Sequence, residues 1–253
     1  MPPRTGVLVT VFNERERIAR CLESVRWADE LLVVDSGSTD GTPEAARDFG
    51  AAVLTRPYRN AADQKNWALR RMSSEWVLVL DADEWLSEPA QHAVREAVEK
   101  DRHAGYRIRR VSWFLGRRIR HSGWQRDYPL RLFRRRAGRY QARRVHADVA
   151  LDGRCGRIHA PVYHQAARSL EEYLPKWLRY VSLAAEDLAE RRRVRLWEPF
   201  ARAFWRFLRQ YVLQTGFLDG REGLVLCGLS AASVFLRYLK AAHASRENVS
   251  SPA

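Results

Sequence analysis

Carboxylate side chains stand where two apolar runs of the sequence end. Asp35 ends the run LLVVD, before the small polar residues SGSTDGT, and Asp81 and Asp83 end the run WVLVLDAD. Residues two apart in an extended segment point the same way, so Asp81 and Asp83 can face one ligand while Ala82 faces the core. Two oxygen ligands with open positions suit Mg²⁺ or Mn²⁺ bound to a diphosphate. The pair therefore predicts a metal site, and the alternative is a solvated turn.

Asp35 also has two interpretations. Aspartate before a Ser-Gly-Ser-Thr turn commonly bonds the backbone amides of that turn, which is a structural role. The second acidic strand end favours a ligand-binding role instead, because ligands of open parallel sheets bind beyond the carboxyl ends of the strands. We expect Asp35 to contact a ligand at this edge.

The elements that position these acids alternate between strands and helices from residue 6 to about residue 104. Such alternation predicts βαβ units and a largely parallel sheet. The expected helix starts carry capping residues: Asn13, Thr42 before Pro43, and Asn60. The expected strands are GVLVTVF, ELLVVD, AAVLT and EWVLVL.

The pattern changes twice along the rest of the chain. Short β-like runs separated by turn signals follow residue 104, and three helical segments are predicted at about 169–193, 196–214 and 219–243. We expect one α/β domain with a helical extension. Its parts are a βαβ half (1–104), a mixed-strand acceptor-side half (105–168) and an amphipathic helical tail (169–253).

Several motifs of the sequence resemble those of a known family. TVFNERERIARCLESV, ELLVVDSGSTDGT, AADQKNWAL and WVLVLDADEWLS are similar to the successive motifs of family 2 glycosyltransferases. DYPLRLFRR, VHADV and YVLQTGFLDGREGL resemble the branch that includes lipopolysaccharide-core glucosyltransferases. The resemblance implies the GT-A fold, a Rossmann-like and mostly parallel sheet flanked by helices. It also implies an inverting enzyme that uses a nucleotide sugar and a divalent metal, Mg²⁺ or Mn²⁺.

The resemblance implies roles for the residues that match these motifs. Asp35 would contact the base or ribose, Asp81 the donor ribose or sugar, and Asp83 the metal, with Asp81 as a second metal ligand. The implied donor-binding residues are Thr10, Phe12, Asn13, Glu14, Asp35, Asp63, Lys65, Asn66, Asp81, Ala82 and Asp83.

The acceptor hydroxyl needs a carboxylate base, and the sequence offers two. The related branch carries a His-Glu pair where this chain reads His146-Ala147-Asp148, so the carboxylate comes one residue later. A one-residue slip in a strand reverses the side-chain direction, so Asp148 can replace that glutamate only if a bulge or bend intervenes. Asp127 is the one acid in residues 102–144 and is the alternative base.

The net charge of +14 calls for an anionic partner, and residues 102–144 hold fifteen arginines. The run RLFRRRAGRYQARR would suit a nucleic-acid-binding protein, but the chain carries no helix-turn-helix, zinc-finger or RNA-binding signature. We expect no nucleic acid. The arginines are expected to face a phosphorylated lipid acceptor, the donor diphosphate or an anionic membrane.

The segment LWEPFARAFWRFLRQYVL predicts an amphipathic helix. At helical spacing Trp197, Phe200 and Phe204 share one face, with Arg202 and Arg206 opposite. This pattern is typical of a helix at an anionic membrane interface, and the alternative is packing on the catalytic domain. No apolar run reaches the roughly 20 residues of a membrane span. The three cysteines are scattered and the N-terminus lacks a signal-peptide pattern, so we expect a cytoplasmic protein, peripheral at the inner face of the cytoplasmic membrane.

The sequence thus predicts an inverting, metal-dependent hexosyltransferase that uses a nucleotide sugar, with UDP-glucose as the first candidate. Its acceptor would be a lipopolysaccharide-core or lipid-linked saccharide. A sugar nucleotidyltransferase shares the architecture but needs a glycine-rich loop after the first strand, where this chain reads TVFNERER. A basic nucleic-acid-binding module is the third hypothesis.

Overall fold

The computed structural model of the protein describes residues 3–141 and 148–250. These residues form two compact units. The first, here called the sheet unit, comprises Met1–Val111 and Asp127–Gln165; the second, the helical unit, comprises Ser112–Arg126 and Ala166–Ala253. The segment Ser112–Arg126, which the sequence placed in the middle part, thus belongs with the C-terminal helices, and the three-part division of the chain stays a prediction.

Four parallel strands form one half of the main sheet, in the order β3-β2-β1-β4. They are β1 (Thr5–Val11), β2 (Glu30–Asp35), β3 (Ala52–Thr55) and β4 (Trp76–Asp81). The helices of this unit are α1 (Arg15–Glu23), α2 (Thr42–Asp48), α3 (Ala61–Leu69) and α4 (Glu88–Lys100). The predicted α/β alternation and parallel sheet are confirmed.

The other half of the sheet continues from β4 in the order β8-β6-β11-β5. In it β8 pairs antiparallel with β4 and with β6, and β5 pairs antiparallel with β11. Its strands are β5 (Glu84–Leu86), β6 (Gly105–Phe114), β8 (Leu130–Arg134) and β11 (Cys155–Ala167), with β7 (Arg117–Arg118) paired to β6. A separate two-stranded sheet contains β9 (Gly138–Tyr140) and β10 (Val149–Leu151).

The core of the sheet unit lies on both faces of the parallel strands. Val7 and Val9 of β1 pack on one face with Leu22 of α1, whereas Leu8 packs on the other face with Leu69 of α3. A strand covered by helices on both faces buries every side chain, which is why β1 reads as a continuous apolar run.

The helical unit contains α5 (Leu170–Arg191), α6 (Glu198–Leu208) and α7 (Gly220–Ser250), close to the three predicted helices. Ser169 begins α5 as a side-chain cap, since its Oγ accepts a hydrogen bond from the Glu172 amide at 3.3 Å. A short π-helical segment follows α6 at Arg209–Leu213. The long helix α7 packs against both α5 and α6.

The segment Gly216–His243, 28 residues that include most of α7, is long and apolar enough to cross a membrane by length and composition. The sequence predicted no such segment because its uninterrupted apolar run near the C-terminus, residues 223–236, is shorter than the roughly 20 residues of a membrane span. Core helices meet the same criterion, and α7 buries Leu226 and Val234 within the protein. Only 28 % of its most apolar stretch is buried within the protein, so packing explains only part of its apolar composition.

Glu198 at the start of α6 should make the helical unit sensitive to acid. Its carboxylate accepts hydrogen bonds from both terminal nitrogens of Arg192 (3.0 and 2.6 Å), from the Arg195 amide and from Arg202 Nε (3.1 Å). These bonds, led by those of Arg192, lower the pKa of Glu198 to about 2. A lowered pKa stabilises the fold above the unfolded value of about 4.3, and this contribution is lost as the pH falls toward 2.

We therefore expect Glu198→Gln to have a lower Tm than the wild type at pH 6. The difference should shrink as the pH falls from 4 to 2, because protonation removes the same charge from the wild type. Calorimetric melting of both proteins across this range checks the prediction. A difference in Tm that stays constant with pH would contradict it.

Candidate active site

The acidic ends of β2 and β4 lie on either side of β1. In the register of the sheet Val11 pairs with Asp35, and Thr10 pairs with Asp81. The expectation that the two acidic strand ends share one edge of the sheet therefore agrees with the topology. The loops after β1, β2 and β4 form this edge, here called the ligand edge.

Asn13 links the first two of these loops. Its backbone N–H donates a hydrogen bond to Ser38 Oγ at 2.8 Å, and its side-chain Oδ1 accepts one from the Thr39 backbone N–H at 2.9 Å. The prediction that Asn13 caps α1 is wrong: the cap position is Glu14, without a side-chain bond, and Asn13 adopts a left-handed backbone with φ 55°. Asparagine tolerates this conformation. Its side-chain oxygen accepts a hydrogen bond from the neighbouring loop and does not cap the helix.

Asp35 is 2 % exposed and caps the turn that follows it. Its carboxylate accepts hydrogen bonds from the amides of Gly37 (2.9 Å) and Ser38 (3.0 Å) and from the Ser38 hydroxyl (2.5 Å). The structural role that the sequence offered is therefore present. A contact between Asp35 and a nucleoside stays a prediction.

Asp81 lies between two buried cations. Lys65 Nζ lies 3.0 Å from its Oδ1, and Arg131 Nη2 lies 2.8 Å from its Oδ2. Lys65 comes from α3, which Asn60 begins as predicted, with its side chain accepting from the Asp63 amide at 2.8 Å. Arg131 comes from β8, the strand that pairs with β4.

These ion pairs control the charge states of the cluster. Burial raises the pKa of Asp81, but Lys65 and Arg131 outweigh it and hold that pKa well below its usual value. Burial lowers the pKa of Lys65, and Asp81 more than restores it, so the Lys65 pKa is raised. Asp81 is thus an anion and Lys65 a cation at neutral pH.

A second carboxylate, that of Glu84, forms an ion pair with Arg131 as well. Glu84 is 0 % exposed, and its Oε1 lies 2.5 Å from Arg131 Nη2 and 3.2 Å from Arg110 Nη1. Arg110 in turn contacts Asp127, whose Oδ2 lies 2.6 Å from Arg110 Nη2 and 2.7 Å from its Nε. The two arginines therefore connect Asp81, Glu84 and Asp127 in one network, here called the charge network.

Asp83 lies beside this network on the turn between β4 and β5. It is 9 % exposed, and its Oδ2 is 3.6 Å from His164 Nε2 of β11. Ala82 between the two acids is buried, as predicted. The described residues contain no group of three or more metal-ligating side chains.

The side chains at Asp83 are still suited to coordinate a divalent metal. Mg²⁺ and Mn²⁺ take one or two protein carboxylates and complete their shells with water and substrate phosphates. Asp83 supplies a carboxylate oxygen and His164 an imidazole nitrogen, whereas both oxygens of Asp81 already bond to cations. Two hydrogen-bond donors of the sheet unit, Arg131 Nε and Tyr140 Oη, are buried without a hydrogen-bond partner among residues 3–141 and 148–243. Such atoms are suited to a water or a ligand oxygen.

The remaining predicted donor-site residues differ in their surroundings. Asp63 Oδ2 bonds Arg56 Nη2 at 2.6 Å. Asn66 exchanges hydrogen bonds with the backbone of Tyr140 at 2.8 and 2.9 Å, so its amide holds β9 in place. Glu14 pairs with Arg17 at 2.8 Å, and Phe12 is 58 % exposed at the end of β1.

The two predicted bases also differ. Asp127 is held by Arg110 within the charge network. Asp148 is exposed just before β10, where its carbonyl accepts a hydrogen bond from the Gln141 amide at 2.8 Å. His146 and Ala147, which the sequence comparison with the related branch used, lie outside the described residues.

Sequence reasoning missed three members of the site, Glu84, Arg110 and Arg131, and it favoured a structural role over metal binding for His164. The arginine-rich stretch was a partial signal for Arg110 and Arg131, but it gave no position for either. Glu84 directly follows the acidic pair in DADE and was not considered. Pairings between distant strands bring these residues together: β4 with β8, β8 with β6, and β5 with β11.

Comparison with known proteins assigns the fold and the family. The chain is 28% identical over 249 residues to the lipopolysaccharide core biosynthesis glycosyltransferase LpsC of Rhizobium meliloti (strain 1021), covering 92% of both chains. It is similar in fold to the mannosyltransferase PcManGT from Pyrobaculum calidifontis, solved in complex with GDP-Man and Mn²⁺ (TM-score 0.51, 19% identity, 100% of this chain and 77% of that one). It is also similar in fold to S. aureus TarS 1–349, solved in complex with UDP-GlcNAc (TM-score 0.53, 12% identity, 97% and 92%).

These structural neighbours have the GT-A fold, which the resemblance predicted. The sequence model of glycosyl transferase family 2 matches residues 6–151, the part of the chain that contains the ligand edge and the charge network. The chain belongs to glycosyl transferase family 2.

Proposed function

We propose that the protein is an inverting, metal-dependent hexosyltransferase. Its donor would be a nucleotide sugar, UDP-glucose first, and its acceptor a lipopolysaccharide-core or lipid-linked saccharide. The observation that carries the proposal is the acidic ligand edge, where Asp83 lies next to His164 and Asp81 is held between Lys65 and Arg131. The similarity to LpsC over 92% of both chains supports the acceptor class.

The residues at the ligand edge suit the parts of such a donor. Asp83 with His164 would hold the metal, which when bound neutralises charge on the leaving diphosphate. Asp81 remains an anion and can accept hydrogen bonds from hydroxyls of the donor ribose or sugar. Lys65 and Arg131 already bond to both oxygens of Asp81. We therefore propose that Asp81 contacts the nucleotide-sugar donor, in preference to its predicted role as a second metal ligand. Thr10, Phe12, Asn13, Glu14 and Asp35 would surround the nucleoside.

In the proposed reaction the acceptor oxygen bonds to the anomeric carbon as the bond to the diphosphate breaks, and the configuration inverts. The acceptor hydroxyl loses its proton to a carboxylate, Asp127 or Asp148. Arg110 would keep the Asp127 carboxylate oriented through its two hydrogen bonds to Oδ2.

The choice of base can be tested by separate Asp127→Asn and Asp148→Asn variants. We expect the base variant to lose about 100- to 10,000-fold in kcat at saturating substrate, because the proton then has no acceptor. The other variant should change little. Asp152→Asn, at an exposed turn after β10, is the matched control. Near-normal turnover in both test variants would show that neither carboxylate is the base.

The donor is identified by a screen for nucleotide release. Wild-type protein is incubated with UDP- and GDP-sugars, with Mn²⁺, with Mg²⁺ or with EDTA, and free UDP or GDP is measured. We expect release from one donor class in the presence of metal. No release from any donor would contradict the proposal.

We further propose that the protein binds peripherally to the cytoplasmic membrane through the exposed aromatic face of α6. Trp197, Phe200 and Phe204 are 60 %, 64 % and 69 % exposed, and Arg202 and Arg209 on the same helical segment are exposed too. Aromatic side chains beside arginines are suited to an anionic interface.

Phe204→Ser should weaken binding to vesicles that contain anionic lipid about tenfold, because the variant lacks a phenyl ring that would be buried in the membrane. Leu239→Ser, which also removes an exposed apolar side chain but from α7, should have a smaller effect. Co-sedimentation with vesicles measures both. Equal binding by the wild type and Phe204→Ser would rule out this face as the contact.

A further inference from the structure

A cleft in the helical unit contains arginines that the proposed active site does not use. Its volume is about 340 Å³, and its lining residues are Arg117, Arg118, Arg120, His121, Leu218 and Asp219. All six belong to the helical unit, whereas every residue assigned to the donor and the metal above belongs to the sheet unit.

The local fold explains why the arginines line this cleft. A two-residue turn, Leu115-Gly116, with φ of 50° and 81°, reverses the chain from β6 into β7. Ile119 follows, is 3 % exposed and packs in the core of the helical unit with Phe114. Neighbours of a buried residue in an extended segment point to the opposite side, so Arg118 and Arg120 face outward together.

Asp219 fixes the other wall of the cleft. It is 2 % exposed, and its two carboxylate oxygens accept hydrogen bonds from the backbone amides of Arg120 (3.0 Å) and His121 (2.9 Å). The His121 ring is positioned by Thr215, whose Oγ1 lies 2.9 Å from its Nδ1. The acid therefore serves to hold the Arg120-His121 backbone, and its charge is directed at amides rather than into the opening.

Positive charge remains in excess. Arg117 has a distant carboxylate, Glu222, at 3.7 Å. Arg118 and Arg120 form no ion pair with any residue whose side chain the structure describes, which are residues 3–141 and 148–243. The N-terminus of α7 at Gly220 also contributes partial positive charge at this end of the unit. Guanidinium groups bind phosphoryl oxygens in paired hydrogen bonds, which makes a phosphoryl group the anion that this geometry fits.

An apolar margin adjoins the basic cleft. Leu218, which lines it, is 54 % exposed, and the preceding Phe217 is 48 % exposed. A small soluble anion would make no use of these side chains. An amphiphile would, because its phosphoryl group and its apolar part meet the two kinds of surface at once.

We propose that this cleft binds the phosphoryl group of a lipid-linked molecule, with Arg118 and Arg120 on the phosphoryl oxygens and Leu218 against the lipid. That the molecule is the saccharide acceptor rests on the proposed transferase function. Binding of a phosphorylated lipid does not, and it can be measured without donor or transfer.

The test is co-sedimentation with phosphatidylcholine vesicles, with and without phosphatidic acid, whose headgroup is a phosphomonoester. Wild-type binding should require phosphatidic acid. The double variant Arg118→Gln/Arg120→Gln should bind these vesicles at least about tenfold more weakly, because both guanidinium contacts are lost. The control Arg193→Gln/Arg195→Gln removes the same charge from exposed arginines of the same unit and should lose about threefold or less in salt-screened buffer. Circular dichroism confirms folding of each variant.

Two results of the vesicle assay would overturn the proposal. Equal losses in both double variants would mean diffuse attraction of the whole basic surface. Equal binding of the wild type to pure phosphatidylcholine, whose phosphodiester carries a choline group, would mean that the phosphomonoester is not recognised. Inorganic phosphate is titrated separately against wild type and Leu218→Ser. We expect weak phosphate binding that Leu218→Ser leaves unchanged while its vesicle binding falls. Phosphate affinity as high as that for the vesicles would overturn the lipid part. Nucleotide release by the cleft variant is recorded in parallel, so failure of the cleft and failure of the transferase function are distinguished.

Discussion

Asp83→Asn is expected to lower kcat/KM for sugar transfer by about 100- to 1000-fold, the range seen when one charge-stabilising group is removed from an active site. The neutral amide keeps the size of the side chain but binds a divalent metal much more weakly than a carboxylate does. Asp83 is 9 % exposed and lies 3.6 Å from His164, the other side chain proposed to hold the metal. A water molecule in place of the metal would be neutral and would not replace its positive charge.

The same variant should need more Mn²⁺ for half-maximal activity than the wild type. This readout separates loss of the metal from damage to the fold. Asp48→Asn, the same chemical change at the exposed end of α2, is the matched control and should keep wild-type activity. Activity of Asp83→Asn close to that of the control, with an unchanged Mn²⁺ requirement, would contradict the metal assignment.

Arg131→Met should destabilise the protein by about 3 kcal/mol or more, because it leaves a buried carboxylate without its main partner. Glu84 is 0 % exposed, and Arg131 is 2.5 Å from it while also bonding Asp81 at 2.8 Å. Arg110, at 3.2 Å, would remain as the one cation paired with Glu84 in the charge network. Unfolding in urea, followed by circular dichroism, measures the loss.

Arg134→Met is the matched control because Arg134 lies on the same strand and pairs with Glu75 and Asp101 in a more exposed position. Exposed pairs contribute about 0–1 kcal/mol, so this variant should change stability little. The double variant Arg131→Met/Glu84→Gln should be less destabilised than the sum of its single variants, since the buried charge is then gone. Equal unfolding free energies for Arg131→Met and Arg134→Met would mean that the network is not an energetic unit.

Local sequence signals were sufficient for the parallel half of the fold. Apolar runs fixed the four strands, and their acidic ends follow directly from where the runs stop, so Asp35 and Asp81 could be placed at one edge. Asn60 was identified as a cap because capping is decided within one turn of the helix. The same rule failed at Asn13, whose side-chain oxygen bonds Thr39 in another loop. It also failed at Thr42, because Gly41 occupies the cap position of α2 and Thr42 is already helical.

Contacts between distant segments were beyond local reasoning. Arg131 reaches Asp81 and Glu84 only because β8 pairs with β4. The sequence of an apolar strand does not show whether an arginine in it is buried or exposed. His164 reaches Asp83 through the pairing of β11 with β5, in which it lies opposite Glu84. Asn66 matched a donor-site motif, yet its amide bonds the backbone of Tyr140. Its role was thus assigned by resemblance, whereas its contacts depend on where β9 lies.

The most direct test of the proposed site is a calorimetric titration of the donor selected by the release screen, UDP-glucose first, into wild type and Asp83→Asn. Each protein is measured with Mn²⁺ and with EDTA, without any acceptor. We expect the wild type to bind at least about tenfold more tightly with Mn²⁺ than with EDTA, and Asp83→Asn to show the weaker binding in both buffers. Equal donor affinity in all four titrations, or no binding in any, would contradict a metal-dependent nucleotide-sugar site at Asp83.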